Sequence, residues 1–203
     1  MLRERHRERV RDALVEAAFA LFSSKGFEAT TVDEITERAG VSRRTFFRYF
    51  PSKEAALFPD RERRLEAFRA ALDDTAGEGP LEAVRSAMAQ LAEDYLQLKD
   101  RVVRQQRIIQ SSPAALVYDF ERDKDWEKAV ATRLGDRPGE SAQVRQRARL
   151  AAGALLGACR VVLRDWYASD GRGDLMARGA EAVELVLEGL TKSLEQTPRR
   201  KAS

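Results

Sequence analysis

The stretch Thr31–Lys53, TVDEITERAGVSRRTFFRYFPSK, decides the fold, because its residue pattern predicts two short helices joined by a tight turn. Val32, Ile35 and Ala39 lie at i, i+3 and i+7, which gives the first helix one apolar face. Gly40 then predicts the end of that helix, since glycine adopts the left-handed backbone conformation without a steric cost. Two helices joined in this way are typical of a helix-turn-helix.

Capping residues precede both of these helices. Thr31 can cap the first helix, and Glu34 three residues later completes a capping box. Ser42 can cap the second helix. Within the second helix, Phe46 and Phe50 share one face at i, i+4, which predicts that this face is buried.

The opposite face of the second helix is basic. A rotation of about 100° per residue places Arg44 and Arg48 on it, with Thr45 and Phe47 beside them. No acidic residue occurs from Arg43 through Lys53. The geometry alone also allows a plain helix pair with a solvated arginine face. The unopposed positive charge favours DNA binding, because arginine forms bidentate hydrogen bonds with guanine in the major groove.

The predicted DNA-binding residues are divided by the part of DNA that each is expected to contact. The predicted base contacts come from Arg43, Arg44 and Thr45. The predicted phosphate contacts come from Thr31, Tyr49 and Lys53. The set is completed by Ser42, Phe47 and Arg48.

This part of the sequence resembles the DNA-binding domain of the TetR family of bacterial regulators. The matching positions are Leu21, Phe22, Gly26, Thr31, Val32, Ile35, Ala39, Gly40, Val41, Ser42, Tyr49, Phe50, Ser52, Lys53 and Glu54. Phe47 stands where the family usually has tyrosine, and Thr36 stands where it usually has alanine. The resemblance implies a transcription regulator that binds DNA, and it gives the helix after Ser52 the role of connecting the DNA-binding and ligand-binding domains.

Composition limits the other classes of protein. The chain has 203 residues, and its net charge of +3 is too small to imply nucleic acid without the local clustering described above. It contains no apolar run long enough to span a membrane and does not begin with a signal-peptide pattern, so we expect it in the cytoplasm, associated with the nucleoid. The single cysteine, Cys159, allows no internal disulfide, and the single histidine, His6, makes a metal site improbable.

Strand-like alternation is absent, so the predicted fold class is all-α. We predict an N-terminal three-helix DNA-binding domain with a helix-turn-helix over residues 1–53. A helical ligand-binding and dimerisation domain of about five or six helices follows over residues 54–196, and a disordered basic tail over residues 197–203.

Several helix bounds follow from apolar spacing and from glycine and proline breaks. The first helix is predicted over about Glu8–Ser24, and a long helix from Ser52 to about Asp74. Before the first helix, Arg3–Arg11 places arginine at every second position. This segment is either an arm that enters the minor groove or a solvated terminus.

The last two helices show coiled-coil spacing. Their apolar residues alternate steps of four and three, which predicts that the two helices form a dimer as half of a four-helix bundle. The predicted dimer interface comprises Leu155, Ala158, Val162, Val183, Leu187 and Leu190. Each helix also keeps a second apolar strip, formed by Leu150, Ala154, Gly157 and Val161 on one and by Leu185 and Val186 on the other.

The region between these parts holds many large apolar and aromatic residues, which form either a plain core or a ligand pocket. The segment Arg104–Gly135 and a later segment around Trp166 resemble TetR-family members of the mycofactocin-system regulator type, and this resemblance implies an acyl-CoA-like ligand. The predicted ligand-binding residues are Tyr95, Arg104, Ile108, Leu116, Tyr118, Phe120, Trp126 and Trp166. Arg101, Arg104 and Arg107 either bind phosphates or form a solvated basic edge.

No set of residues suited to catalysis is found, and no cofactor is expected. The sequence therefore predicts a dimeric repressor, not an enzyme, that a mainly apolar small molecule releases from a palindromic operator. The partners expected are double-stranded DNA, a second copy of the chain and that effector. The alternative is a DNA-bound dimeric factor that recruits a protein partner and has no small-molecule effector.

Overall fold

The computed structural model describes residues 2–74 and 79–195, with side chains for residues 4–74, 79–121 and 123–189. All regular structure in these ranges is α-helical, so the predicted all-α class is confirmed. The helices are α1 Leu2–Lys25, α2 Val32–Ala39, α3 Arg43–Tyr49, α4 Lys53–Leu57, α5 Arg61–Asp73, α6 Pro80–Gln97, α7 Lys99–Gln110, α8 Pro113–Leu134, α9 Ala142–Ala168 and α10 Leu175–Glu195. None of these described helices is both long and apolar enough to cross a membrane.

The chain forms two compact units, and each is built from two separate segments. The first unit combines Met1–Glu62 with Asp100–Arg122. The second combines Arg63–Lys99 with Asp123–Ser203. The predicted domain boundary after Lys53 falls inside the first unit.

The core of the first unit joins the helix-turn-helix to α7. Leu14 and Phe22 from α1, together with Ile35 from α2, are buried in it. Ile108 and Ile109 from α7 complete the same core, although α5 and α6 separate α7 from the N-terminal helices along the chain. Their burial explains why a segment from the middle of the chain folds with its N-terminal part.

Polar contacts reinforce this arrangement. Ser112, which is fully buried between α7 and α8, donates a hydrogen bond from Oγ to Glu28 Oε1 at 2.6 Å, and this contact lowers the pKa of Glu28. Arg101 forms an ion pair with Asp60. The α7 segment is therefore attached to the first unit by both apolar and charged groups.

Two of the predicted helix bounds differ from the structure. α1 begins at Leu2, so the Arg3–Arg11 segment, for which the sequence left open a minor-groove arm or a solvated terminus, is the first part of a helix. The predicted long helix after Ser52 is two helices, because α4 ends at Leu57 and α5 begins at Arg61. Pro59 lies between them, and proline lacks an amide hydrogen and disfavours a helical conformation in the residue before it.

The second unit has its own apolar core. It contains Phe68 from α5, Val84 from α6 and Val130 from α8, together with residues of α9 and α10. The Trp126 ring packs against Phe68 with ring centroids 5.0 Å apart. Arg133 Nε donates a hydrogen bond of 2.7 Å to the Leu72 carbonyl at the end of α5. α10 packs on both α9 and α6, which arranges these three helices around a common cavity.

Candidate DNA-binding surface and second-unit cavity

The orientation of α3 is fixed by its cap and by its buried aromatic face. Ser42 Oγ accepts a hydrogen bond of 3.1 Å from the amide of Thr45, which caps the helix. Phe46 and Phe50 are buried on the inner face, with ring centroids 5.7 Å apart. Because the inner face is fixed in the core, the opposite face must point outward.

The outward face carries most of the predicted base-contacting side chains. Arg43, Arg44, Phe47 and Arg48 are exposed there, and Thr45 is half-buried. The apolar ring of Phe47 is 46% exposed, which is unusual for a phenylalanine and leaves it available for contact. The structure thus brings the predicted base-contacting residues together on one surface.

The arginines on this surface differ in their contacts. Arg43 Nη1 donates to both carboxylate oxygens of Asp33, at 3.0 and 3.1 Å, and its guanidinium lies over the ring of Phe47. Arg48 lies over the ring of Tyr49. Arg44 is exposed, so its guanidinium fork faces solvent. Of the three, Arg43 is the one whose charge is already offset by a carboxylate.

Thr31 forms the capping box that the sequence predicts at the start of α2. Its hydroxyl accepts from the Glu34 amide at 3.3 Å, and its own amide donates to Glu34 Oε2 at 2.9 Å. Lys25 also donates a hydrogen bond to the Glu34 carboxylate. The Lys25 contact, followed by the bonds from Thr31, lowers the pKa of Glu34 to about 2.

Two residues that are predicted to contact phosphates direct their polar atoms into the protein. These residues are Lys53, whose ammonium has internal partners, and Tyr49, whose hydroxyl is buried. Lys53 Nζ donates to the carbonyls of Phe27 at 2.7 Å and Thr30 at 3.0 Å, and it lies 4.4 Å from the centroid of the Phe27 ring. The Tyr49 hydroxyl is buried and has no hydrogen-bond partner. Lys53 therefore fastens the α1–α2 loop. Sequence spacing gave no sign of this, because the partners lie far away along the chain.

The predicted ligand residues are divided between the two units. Five of them belong to the first unit, namely Arg104, Ile108, Leu116, Tyr118 and Phe120. Arg104 lies over the ring of Phe19 and pairs with Glu16 at 3.4 Å, Ile108 is part of the core, and Tyr118 packs against Phe58. Leu116 and Phe120 are exposed. The remaining three, Tyr95, Trp126 and Trp166, belong to the second unit.

A cavity of about 300 Å³ lies in the second unit between α6, α9 and α10. Most of its lining is apolar, with Met88, Leu91, Val162, Leu163, Met176 and Val183 as the large side chains. Of the predicted ligand residues, Tyr95 lines this cavity, whereas Trp126 and Trp166 do not. Trp166 is instead fully buried, with its indole Nε1 lacking a hydrogen-bond partner.

Part of the cavity lining is charged, and no local pattern in the sequence marks these charged residues as neighbours. Arg85 Nε and Nη2 donate to the two oxygens of Glu184 at 2.5 and 3.0 Å, and Arg85 Nη1 donates to Glu82 at 3.0 Å. The Glu184 contact raises the pKa of Arg85, and Arg85 in turn lowers the pKa of Glu184. Cys159 also lines the cavity, and burial raises the pKa of its thiol to about 11.

The residues predicted for the dimer interface lie mainly inside the second unit. Leu155, Val183 and Leu187 are buried in its core. Val162 and Val183 line the cavity, Ala158 is half-buried, and the side chain of Leu190 falls outside the described residues. The reason is that α9 and α10 bury these stripes against each other and against α6. The second strips are the exposed ones, with Leu150 at 66% and Leu185 at 75% exposure.

The sequence matches known families over most of its length. The family described as "Bacterial regulatory proteins, tetR family" matches residues 14–58. The family described as "MftR C-terminal domain" matches residues 78–191, which is more than half of the chain. The chain belongs to the TetR family. It is therefore a transcriptional regulator with the mycofactocin-type C-terminal domain that the sequence resemblance implied.

Individual relatives agree with the TetR assignment. The transcriptional regulator TcmR of Streptomyces glaucescens is 34% identical over 173 residues, which cover 82% of this chain and 76% of TcmR. MftR of Mycobacterium tuberculosis is 29% identical over 125 residues, or 61% of this chain and 63% of MftR. The crystal structure of FadR from Thermus thermophilus, a TetR-family repressor in complex with lauroyl-CoA, has a TM-score of 0.56 and 28% identity. That match covers 95% of this chain and 97% of FadR.

Proposed function

We propose that this TetR-family regulator is a dimeric repressor that binds a palindromic operator through α3 and releases it when a mainly apolar small molecule binds the second unit. The observation that carries the proposal is the outward face of α3, where Arg44, Phe47 and Arg48 are exposed on a helix fixed by buried phenylalanines. One recognition helix contacts few base pairs, so two copies about 34–36 Å apart are needed for tight specific binding.

The ligand response is supported by the cavity between α6, α9 and α10 and by the relatives. Its volume of about 300 Å³ is at the lower end of the range of small-molecule sites, and its lining is mostly apolar. FadR, a structural relative, is a repressor that was crystallised with lauroyl-CoA. The effector acts by population shift, because it favours a form of the dimer whose two α3 helices no longer match successive major grooves.

Arg44 and Arg48 supply the base contacts in this proposal. Arg43 also contacts a base once DNA replaces the Asp33 carboxylate as the partner of its guanidinium. Thr45 and Phe47 contact the methyl groups and edges of neighbouring bases. Ser42 and Thr31 lie at the starts of α3 and α2, where backbone amides favour phosphate. The regulator acts in the cytoplasm, on the nucleoid.

The test begins with a selection of operator sequences from random DNA by the full chain. The selected operator should be palindromic and should bind two chains, with an affinity at least about 10³ times that for random DNA. A panel of apolar compounds is then screened for an increase in melting temperature, since ligand binding to the native state stabilises it. Each compound that raises the melting temperature is added to the operator complex.

Release of the operator by a compound that raises the melting temperature supports the repressor with an effector. The competing function, a DNA-bound factor that recruits a protein and has no effector, is supported if no compound changes either measurement. An operator that lacks two-fold symmetry and binds a single chain would contradict the dimeric mode of DNA binding.

A further inference from the structure

The charged side chains that line the cavity between α6, α9 and α10 do not cancel one another. Glu82 and Glu184 carry two negative charges, and Arg85 carries the one positive charge among the lining residues, so one negative charge is left over. The thiol of Cys159 adds no charge at neutral pH, because burial raises its pKa to about 11. Glu82, Arg85 and Glu184 are called the charged triad below.

The hydrogen bonds within the charged triad are unbalanced in the same direction. Arg85 donates from Nε and Nη2 to both oxygens of Glu184, and from Nη1 to Oε2 of Glu82. The other Glu82 oxygen accepts no hydrogen bond from the part of the chain that the structure describes. Of roughly eight acceptor sites on two carboxylates, Arg85 fills about three and keeps about two of its own N–H groups. The charged triad therefore lacks a donor that carries positive charge.

An apolar surface adjoins these charges. Met88, Leu91 and Val162 are among the large side chains of the lining. The side chains of the charged triad are 36–46% exposed, so water screens part of their field. A ligand thus gains most of its affinity by burying apolar groups, and the charged triad decides which charge its polar end can carry.

An acyl-CoA, which the sequence resemblance implied, does not suit this cavity. Its phosphates require cationic donors, and the one cation of the lining already donates to two carboxylates. Since one water takes about 30 Å³ of the liquid, a cavity of about 300 Å³ holds roughly ten non-hydrogen atoms, far fewer than coenzyme A contains. A simple carboxylate fits the volume, but its charge has the same sign as the excess charge of the lining.

We propose that this cavity binds a small organic monocation, a protonated amine with an apolar body of roughly ten non-hydrogen atoms, whose ammonium group donates to Glu82 and Glu184. This proposal names the effector class of the proposed function and rests on that function only for the effect on DNA. The apolar body lies against the methionine, leucine and valine side chains of the lining. The charged triad favours an amine over a carboxylate of the same shape.

The first experiment measures the binding of three probes to the full chain by calorimetry. The probes are phenylbutylamine, phenylbutanol and phenylbutyrate, which share one apolar body. An opposite charge at a partly exposed site raises affinity by up to about fivefold, and a like charge lowers it by a similar factor. The amine should therefore bind about tenfold more tightly than the carboxylate, with the alcohol between them. Equal binding of the three probes, or tighter binding of the carboxylate, would overturn the proposal.

Two substitutions break the same ion pair but change the charge of the lining in opposite directions. Glu184→Gln leaves Glu82 to balance Arg85, so the preference for the amine over the carboxylate should fall to within about twofold. Arg85→Met leaves two carboxylates without a cation, so that preference should exceed the preference of the unchanged chain. If the charged triad only supported the fold, both variants would change the preference in the same direction.

Glu82→Gln provides a second variant with a neutral lining, and it keeps the two hydrogen bonds between Arg85 and Glu184. It should lose the amine preference as Glu184→Gln does. The matched control is Glu181→Gln, which removes the same charge from an exposed position of α10 outside the lining. The control should keep the preference. If Glu181→Gln lowers it as much as Glu184→Gln, the net charge of the protein causes the preference and the proposal fails.

Two further measurements test whether the amine occupies the cavity. Phenylbutylamine should slow the alkylation of Cys159, which lines the cavity and is the only cysteine of the chain. Gly179→Leu should weaken the amine and the alcohol about tenfold or more, because a Cβ at Gly179 meets no atom within 4 Å and the longer side chain fills the space that the probes need. An amine that leaves the alkylation rate unchanged and binds Gly179→Leu normally would overturn the proposal.

The operator complex separates this proposal from the function on which it rests. If phenylbutylamine binds the cavity with the expected preference and leaves the operator bound, the amine site stands and the effector role fails. If another apolar compound releases the operator equally from the unchanged chain and from Glu184→Gln, and the amine preference is absent, the effector role stands and the amine site fails.

Discussion

Lys53 has two possible roles that differ in what its removal should do. In the structure its ammonium donates to the carbonyls of Phe27 and Thr30, so Lys53→Met leaves two buried acceptors without a donor. We expect the free energy of unfolding to fall by about 1–3 kcal/mol in a urea titration. The slope of log K against log salt for DNA binding should stay the same. A slope that falls by about one unit would instead show that Lys53 contacts a phosphate.

Removal of the Arg44 side chain should weaken DNA recognition and leave stability nearly unchanged, which is the reverse of the result expected for Lys53. Arg44→Ala removes an exposed side chain, so the stability of the fold should stay within about 0.5 kcal/mol of the original value. Binding to the operator should weaken by about 1–3 kcal/mol, with relaxed preference at one base pair, whereas binding to random DNA changes little. Arg172→Ala removes one charge from the α9–α10 loop and serves as the control. Equal losses on operator and random DNA would exclude Arg44 from base recognition.

The sequence could predict the position of Arg44 but not the contacts of Lys53. The outward face of α3 follows from helical periodicity once Phe46 and Phe50 are assigned to the core. The contacts of Lys53, and those of Arg104 with Glu16, depend on groups brought close by the tertiary fold. A charge that is far from its partner along the chain carries no local signal of that pairing, so such residues resemble solvated or ligand-binding cations.

Helix α2 provides a prediction about pH. The pKa of Glu34 is lowered from its ordinary value of 4.5 to about 2, mainly because Lys25 donates a hydrogen bond to the carboxylate and then because Thr31 does so in the capping box. A lowered pKa in the folded state stabilises the fold above the ordinary pKa of the carboxyl group. This stabilisation should therefore be present above pH 4.5 and disappear as the pH falls toward about 2.

Hydrogen exchange of the α2 amides between pH 2 and 5, with correction for the intrinsic exchange rates, measures this effect. Glu34→Gln should remove the part of the pH dependence that is due to this carboxyl group, since glutamine keeps the capping geometry without a titrating group. A pH dependence that is identical in the two proteins would show that Glu34 is not its source.

Helix boundaries were partly predictable from local signals. Gly40 and the caps Thr31 and Ser42 are local, and the structure places α2 and α3 where these residues predict. The interruption between α4 and α5 also has a local cause in Pro59, which the apolar periodicity alone did not reveal. The assignment of α7 to the first unit has no local cause, since it depends on where Ile108 and Ile109 are buried.

At the level of the whole dimer, two leucines of α10 that are two positions apart should give different phenotypes. Leu185 is 75% exposed, so Leu185→Glu should leave the monomer folded, prevent dimerisation and abolish tight operator binding. Leu187 is 1% exposed and lies in the core, so Leu187→Ala should lower the free energy of unfolding by about 2–5 kcal/mol. Sedimentation, urea unfolding and an operator gel shift together measure these outcomes.

Each of these two predictions has its own contradicting result. A folded Leu185→Glu protein that stays dimeric would show that the exposed strip of α10 is not the dimer interface. A Leu187→Ala protein with unchanged stability and lost dimerisation would move the interface back to the stripe that the sequence first indicated.

The two apolar strips of α9 and α10 explain why the sequence could not show which strip is buried within one chain and which is left exposed. Both strips have helical spacing, and periodicity cannot say which one is covered within the monomer. The position of α6 decides this, because it packs on α10 and buries the strip that contains Val183 and Leu187. The cavity was unpredictable for the same reason, since it lies between helices from distant parts of the chain.

The construction of the first unit from two separate segments matters for gene fusion. A gene fragment that codes for residues 1–62 omits Ile108, Ile109 and Ala115, so its product would expose the apolar side chains that these residues cover. Chimeric regulators made by exchanging only the N-terminal coding region would combine an α1 from one parent with an α7 from another. Glu16 and Arg104, which pair in this unit, would then come from different parents. Recombination at a single crossover point is thus a poor way to transfer DNA specificity between such regulators.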